Sequence, residues 1–197
     1  MYSKNILKKI ENLKQGEPFK SSAFLEIAPY TAIRHTMSRL VTSGYLMRVT
    51  RGIYVRPEIN RYTGPVPPVT EKILKLVASG EKISITGAEA AQRLGLSTQI
   101  VLKEVYLTSG RTRKIRLENG WTILLRHASH RKLSLSGRLA GVALSALWWM
   151  GKKEVTHQVI SIIRQKLPTE EFLALKESVP LMPSWMGKMF SKNEESF

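Results

Sequence analysis

At 197 residues without a cysteine, the chain has room for one large core or two small ones and excludes a disulfide framework or any thiolate metal site. Lys and Arg number 31 against 15 acidic residues, all glutamate, for a formal charge of +16. That balance implies a polyanionic partner, nucleic acid foremost, and works against the clustered carboxylates of two-metal phosphoryl transfer.

The first 15 residues, MYSKNILKKIENLKQ, thread charges through apolar positions, unlike a secretory leader. Ile6, Leu7, Ile10 and Leu13 repeat at helical spacing, with Ser3 placed to cap the helix and Gly16 to end it. After the break at Gly16-Glu17-Pro18, a short helix is expected from Ser21 or Ser22 to Leu25, with Pro29 punctuating the turn.

The next helix, Tyr30 to Ser43, has two opposed faces. Ile33, Met37, Leu40 and Val41 fall on one arc and should face a core. Thr31, His35, Ser38 and Thr42 occupy the other, flanked by Arg34 and Arg39. Short hydrogen-bonding side chains bordered by arginines suit base edges at the centre and phosphates at the rim. The plainer alternative is a solvated amphipathic face, and the neighbouring elements weigh against it. A hairpin follows: Tyr45–Val49 and Ile53–Val55 are rich in β-formers and join through Thr50-Arg51-Gly52, with Arg48, Arg51 and Arg56 giving it charge. Helix, turn, helix and basic hairpin in this order is the layout of a winged helix-turn-helix, a DNA-binding module.

Tyr62–Pro68 holds three prolines and a glycine in seven residues and reads as a stiff, extended linker. The expected division is therefore a winged helix-turn-helix over 1–61, a linker over 62–69, and a second domain over 70–197. In that second part, a helix over Thr70–Ser79, a strand at Ile83–Ile85 and a helix over Gly87–Leu94 come first. Strands follow at about Val101–Thr108, Arg113–Leu117 and Trp121–Arg126, the last two joined by Glu118-Asn119-Gly120. Helices are then expected over Ser136–Met150, over Val155–Leu167 and from Pro168 onward, with residues 188–197 frayed. The fold class is α+β: a winged helix-turn-helix followed by a mixed α/β domain ending in a helical bundle. Its most apolar run, Leu139–Met150, is 12 residues and flanked by Arg138 and Lys152; that is too short to span a bilayer. A cytoplasmic protein with no membrane partner is the expectation.

Catalytic signals are weak. His127 and His130 form H-x-x-H without a nearby carboxylate or thiolate to complete a zinc set, so solvated imidazoles are expected instead. Phosphate-loop, dinucleotide-binding and nucleophile-elbow motifs do not occur. No enzyme, cofactor or metal is expected. Trp148-Trp149 invites base stacking, but their apolar neighbours favour core packing, and Trp185 should anchor the C-terminal helix. A second basic surface is formed by Arg111, Arg113, Lys114, Arg116, Arg126, Arg131 and Lys132, with Arg138 beyond. Extended DNA contact, RNA binding, docking of an acidic partner and a merely solvated face all fit it.

The stretches SRLVTSGYLMRVTRGIYVRP and ISITGAEAAQRLGLSTQ resemble the AbiEi-type antitoxins of bacterial type IV toxin–antitoxin and abortive-infection systems. The resemblance implies a winged helix that binds inverted repeats in double-stranded DNA of its own promoter and represses the operon. It also implies a second domain that counteracts a cognate nucleotidyltransferase-like toxin, in many cases without a stable complex. Carried over by position, Thr31, Arg34, His35, Ser38 and Arg39 match the recognition helix, and Arg48, Arg51 and Tyr54 the wing. Lys20, Ser21 and Ser22 are expected at phosphates, Arg34 with His35 or Ser38 at bases, and Arg48 and Arg51 on the backbone. The alternative is a winged-helix transcriptional regulator whose second domain senses a ligand or binds a partner.

Overall fold

The computed structural model describes residues 2–99 and 104–191. Two compact units make up the chain: Met1–Ser79 with Ile115–Thr122, and Gly80–Lys114 with Ile123–Phe197. The class is α+β.

The first unit opens with α1 (Tyr2–Glu11), β1 (Pro18–Lys20), a 3-10 turn at Ser21–Phe24, and α2 (Tyr30–Thr42). Strands β2 (Met47–Thr50) and β3 (Ile53–Val55) then return antiparallel, and β1 pairs on the far side of β3, giving the order β1-β3-β2. Arg51-Gly52 is the tip of the β2–β3 hairpin. Gly52 sits at φ 75°, a left-handed conformation that a side chain would strain. The register slips between Arg48 and Thr50, leaving Val49 as an extra residue in β2.

The helical pattern in α2 is read out as burial. Ile33 and Met37 are buried with Ile6, Ile10, Phe19, Phe24, Ala28 and Leu46, while Leu40 and Val41 pack at the margin. Thr31, His35, Ser38 and Thr42 are exposed. Thr36 is buried as well, a small polar side chain between the two arcs. Ser3 lies inside α1 and is not its cap; its hydroxyl accepts a hydrogen bond from Arg39 at 3.0 Å.

The expected 62–69 linker is corrected. β4 (Glu58–Asn60) pairs antiparallel with β5 (Gly64–Val66), so that Pro65 faces Ile59 in a two-stranded ribbon. Proline is tolerated there because an edge position asks nothing of its missing N–H. Helix α3 (Thr70–Val77) then packs on β1 within the same unit. There Lys72 bridges Glu17 at 2.8 Å. The division falls after Ser79, not in the proline-rich stretch.

Beyond Ser79 come β6 (Ile83–Ile85), α4 (Gly87–Arg93), β7 (Val105–Thr108), β8 (Arg113–Arg116) and β9 (Thr122–His127), the strands giving a sheet of order β6-β7-β9-β8. β6 and β7 are antiparallel, whereas β7 and β9 are parallel. The first part of the strand expected from Val101, residues 100–103, lies outside the described residues. Four helices close the chain: α5 (Leu139–Glu154), α6 (His157–Lys166), α7 (Thr169–Glu177) and α8 (Ser184–Ser191). α5 starts three residues later than expected and is broken at Gly151, φ 72°. Residues 188–191, expected to fray, are helical, and 192–197 lie outside the described residues. Ala140, Ala143, Leu144 and Leu147 of α5 share one core with Ala90 and Ala91 of α4, Ile160 and Ile163 of α6, Leu175 of α7 and Met186 of α8. Trp185 packs against that core. Among the described residues no helix is long and apolar enough to cross a membrane.

Candidate nucleic-acid interface

A cleft of about 510 Å³ opens between the start of α2 and the β2–β3 hairpin. Arg34 reaches it from α2, Arg48, Arg51 and Tyr54 from the hairpin, and Ser21 from the 3-10 turn. Local pairing fixes this convergence: Ser21 donates its N–H to the Gly52 carbonyl at 2.9 Å, and Arg48 stands opposite Tyr54 in the β2–β3 register. Tyr54 is half-buried and stacks at 6.4 Å on Phe19, so its position is set by the core beneath.

The cleft's cations differ in their commitments. Arg34 and Arg51 are exposed and make no ion pair among the described residues. Arg48 bridges Glu118 at 3.2 Å, both side chains remaining about half exposed. Glu118 stands at the tip of the β8–β9 hairpin, in the segment that belongs to this unit. That tip is bonded to β2 twice more: the Glu118 N–H donates to the Val49 carbonyl at 3.0 Å, and the Thr50 hydroxyl donates to the Arg116 carbonyl at 2.8 Å. The bulged Val49 thus finds a partner outside its own sheet.

α2 begins after Pro29 with no side-chain cap and no acidic residue in its first turn. Its leading N–H groups and the positive end of its dipole are open to an anion. Residues 30 and 34 share a helical face, and Tyr30, 59% exposed, lines the cleft beside Arg34 and Ile33. Tyr30 was missed from sequence; its place one turn before Arg34 was the available signal.

The remaining predicted residues divide. Thr31, His35 and Ser38 are exposed along α2 without lining the cleft. Arg39 is also exposed, but its guanidinium is drawn back onto Ser3 of α1. Ser22 is exposed in the 3-10 turn, and Lys20 is half-buried in β1, its residue paired with Ile53.

The residues of the second basic cluster differ in their surroundings. Arg116 belongs to the first unit and the others to the second. Arg113 bridges Glu81 at 2.9 Å, and its guanidinium together with the Thr108 hydroxyl holds the Glu81 carboxyl below the ordinary carboxylate range. Arg131 donates to the Leu181 carbonyl at 2.8 Å. Arg138 bridges Glu171 at 3.1 Å. The Ala140 N–H at the start of α5 donates to the same carboxylate at 2.8 Å, and these contacts, the backbone one first, hold Glu171 below its usual range. Arg111 and Lys114 are exposed, while Arg126 and Lys132 line a separate cavity. The expectation for the tryptophans is half corrected. Trp148 is partly buried against the core, but Trp149 is 44% exposed, because consecutive helical residues lie about 100° apart and only one can face inward.

The chain belongs to DUF6088, a family of unknown function, whose model matches residues 5–175. No curated protein matches the sequence.

Proposed function

We propose that the first unit is a winged helix-turn-helix that binds double-stranded DNA, α2 serving as recognition helix and the β2–β3 hairpin as wing. The observation that carries this reading is the convergence of Arg34 and Arg51 on one cleft; among the described residues neither makes an ion pair and no carboxylate lines the cleft. A row of exposed hydrogen-bonding side chains, Thr31, His35 and Ser38, continues along α2 beyond it. In this arrangement the rim arginines and the open start of α2 hold phosphates, while α2's outward arc meets base edges. The +16 charge supplies a salt-dependent attraction that acts on any duplex.

The resemblance to AbiEi-type antitoxins extends the reading. The chain acts without catalysis as repressor of its own promoter, at inverted repeats, and as antitoxin to a nucleotidyltransferase-like toxin encoded beside it in a bacterial cytoplasm. The test has two arms. In a mobility shift at near-physiological salt, the upstream DNA of its own gene should win over a random duplex of equal length by about a hundredfold or more. Equal affinity would reduce the protein to a non-specific binder. Co-expression with the neighbouring toxin gene should restore growth. Growth arrest despite co-expression, with operator binding intact, would leave a winged-helix regulator and remove the antitoxin.

A further inference from the structure

The second unit holds a cavity of about 550 Å³ that the DNA-binding reading does not use. Its size lies within the range of small-molecule sites, roughly 300–1,000 Å³. Arg126, His127 and Lys132 bring it cations or potential cations from the end of β9 and the loop that follows, and Trp148 and Trp149 form an aromatic wall from α5. Thr86 and Ser129 add hydroxyls, and no carboxylate lines it among the described residues.

Four features of this lining are unspent. Arg126 is exposed and makes no ion pair or hydrogen bond among the described residues. His127 Nδ1 stands 2.9 Å from the Gly110 carbonyl; a carbonyl only accepts, so Nδ1 carries the proton and Nε2 is left for another partner. Trp148 Nε1–H is closed to solvent and has no acceptor among the described residues, although Lys132 Nζ lies 5.0 Å from its ring centroid. Trp149 keeps 44% of its surface exposed just beyond the buried run Ala143–Leu147 of α5.

We propose that this cavity binds a nucleoside phosphate. Arg126 and Lys132 take the phosphate, and the Trp149 face takes the base by stacking. A bare inorganic anion would leave the Trp149 face without a partner, and an uncharged aromatic would leave Arg126 without one. The ligand is either a free nucleotide or the phosphorylated end of a strand. The proposal concerns the second unit and stands whether or not the first binds DNA.

Titration calorimetry of the full chain, with tryptophan fluorescence beside it, tests this using the four common nucleoside monophosphates, adenosine and inorganic phosphate. Saturable one-to-one binding of at least one monophosphate is expected. Phosphate alone and adenosine alone should each bind about tenfold more weakly or worse. Arg126→Ala and Trp149→Ala should each weaken binding by about tenfold, and Arg34→Ala, in the other unit, should leave it unchanged. Lys132→Gln, at an exposed position, repeats the charge test should Trp149→Ala fail to fold. Tighter binding by a 5′-phosphorylated oligonucleotide, still lost in Arg126→Ala, would identify a strand end as the ligand. Three results would overturn the proposal: no saturable binding of any monophosphate, phosphate binding as tightly as the nucleotides, or binding abolished by Arg34→Ala and retained in Arg126→Ala.

Discussion

Residues 30–54, with four arginines, and residues 111–138, with arginines and lysines together, are both basic, yet they deploy that charge differently. In the first region, Arg34 and Arg51 stand exposed around a cleft that no carboxylate lines among the described residues, while Arg48 is matched to Glu118. In the second, Arg113, Arg131 and Arg138 are committed to Glu81, the Leu181 carbonyl and Glu171. Counting cations along a sequence measures charge, whereas recognition depends on charge that the fold has not already used. By that measure Arg34 and Arg51 keep their charge for the partner proposed above, whereas the second region is divided: Arg113, Arg131 and Arg138 are spent inside their own unit, and Arg111, Lys114 and Arg116 stay exposed.

The largest effect that would sharpen this contrast belongs to Gly87. A methyl group there would collide with Trp149 Cβ and the Ser145 carbonyl where α4 meets α5. Gly87→Ala should cost the second unit about 3 kcal/mol, read as a lowered thermal midpoint. Duplex binding at a temperature where the protein remains folded should not change. Next comes Arg34→Ala, which should weaken operator binding by about 2 kcal/mol and blur sequence preference with no change in melting. Arg51→Ala should weaken all duplexes alike and lower the salt slope by about 1. If both mutants lose equally on operator and random DNA, the division between base reading and backbone contact fails.

Arg113→Ala should do the reverse of Arg34→Ala, lowering stability by about 1 kcal/mol and leaving DNA affinity untouched. A loss of DNA affinity in that mutant would break the contrast. The smallest effect is expected in acid. Glu81 and Glu171 titrate below the ordinary carboxylate range when folded, so the unfolded chain binds their protons first. The stability they contribute is present above the ordinary carboxylate value and drains as pH falls through the lower folded values. Melts followed from about pH 6 to about pH 3 should show that decline, and Glu171→Gln should flatten part of it.

The sequence made the outline of the first unit legible because its main device is periodic. The spacing that sends Ile33 and Met37 inward also sends Thr31, His35 and Ser38 outward, and a 3.6-residue period carries that information locally. Other features depend on partners far along the chain. Proline-rich Gly64–Val66 became a strand because Glu58–Asn60 was beside it to pair. Arg39, expected to flank the outward arc of α2, is drawn back because Ser3, in another helix, accepts its hydrogen bond. Trp149 looked like core since its neighbours are apolar, and only the packing of α5 decided which tryptophan turned inward. The cavity joins Thr86, Arg126, Lys132 and Trp148, residues with no common spacing, and no local pattern announces it.

The tip of the β8–β9 hairpin has a consequence for how this protein is made and dissected. The first unit is not continuous in sequence: it includes Ile115–Thr122, which a ribosome supplies only after Gly80–Lys114 of the next unit has emerged. Until then the bulged Val49 carbonyl, the Thr50 hydroxyl and Arg48 lack Glu118 and Arg116 as partners. A fragment cut at Ser79 would lack those partners permanently, leaving β2 without its support.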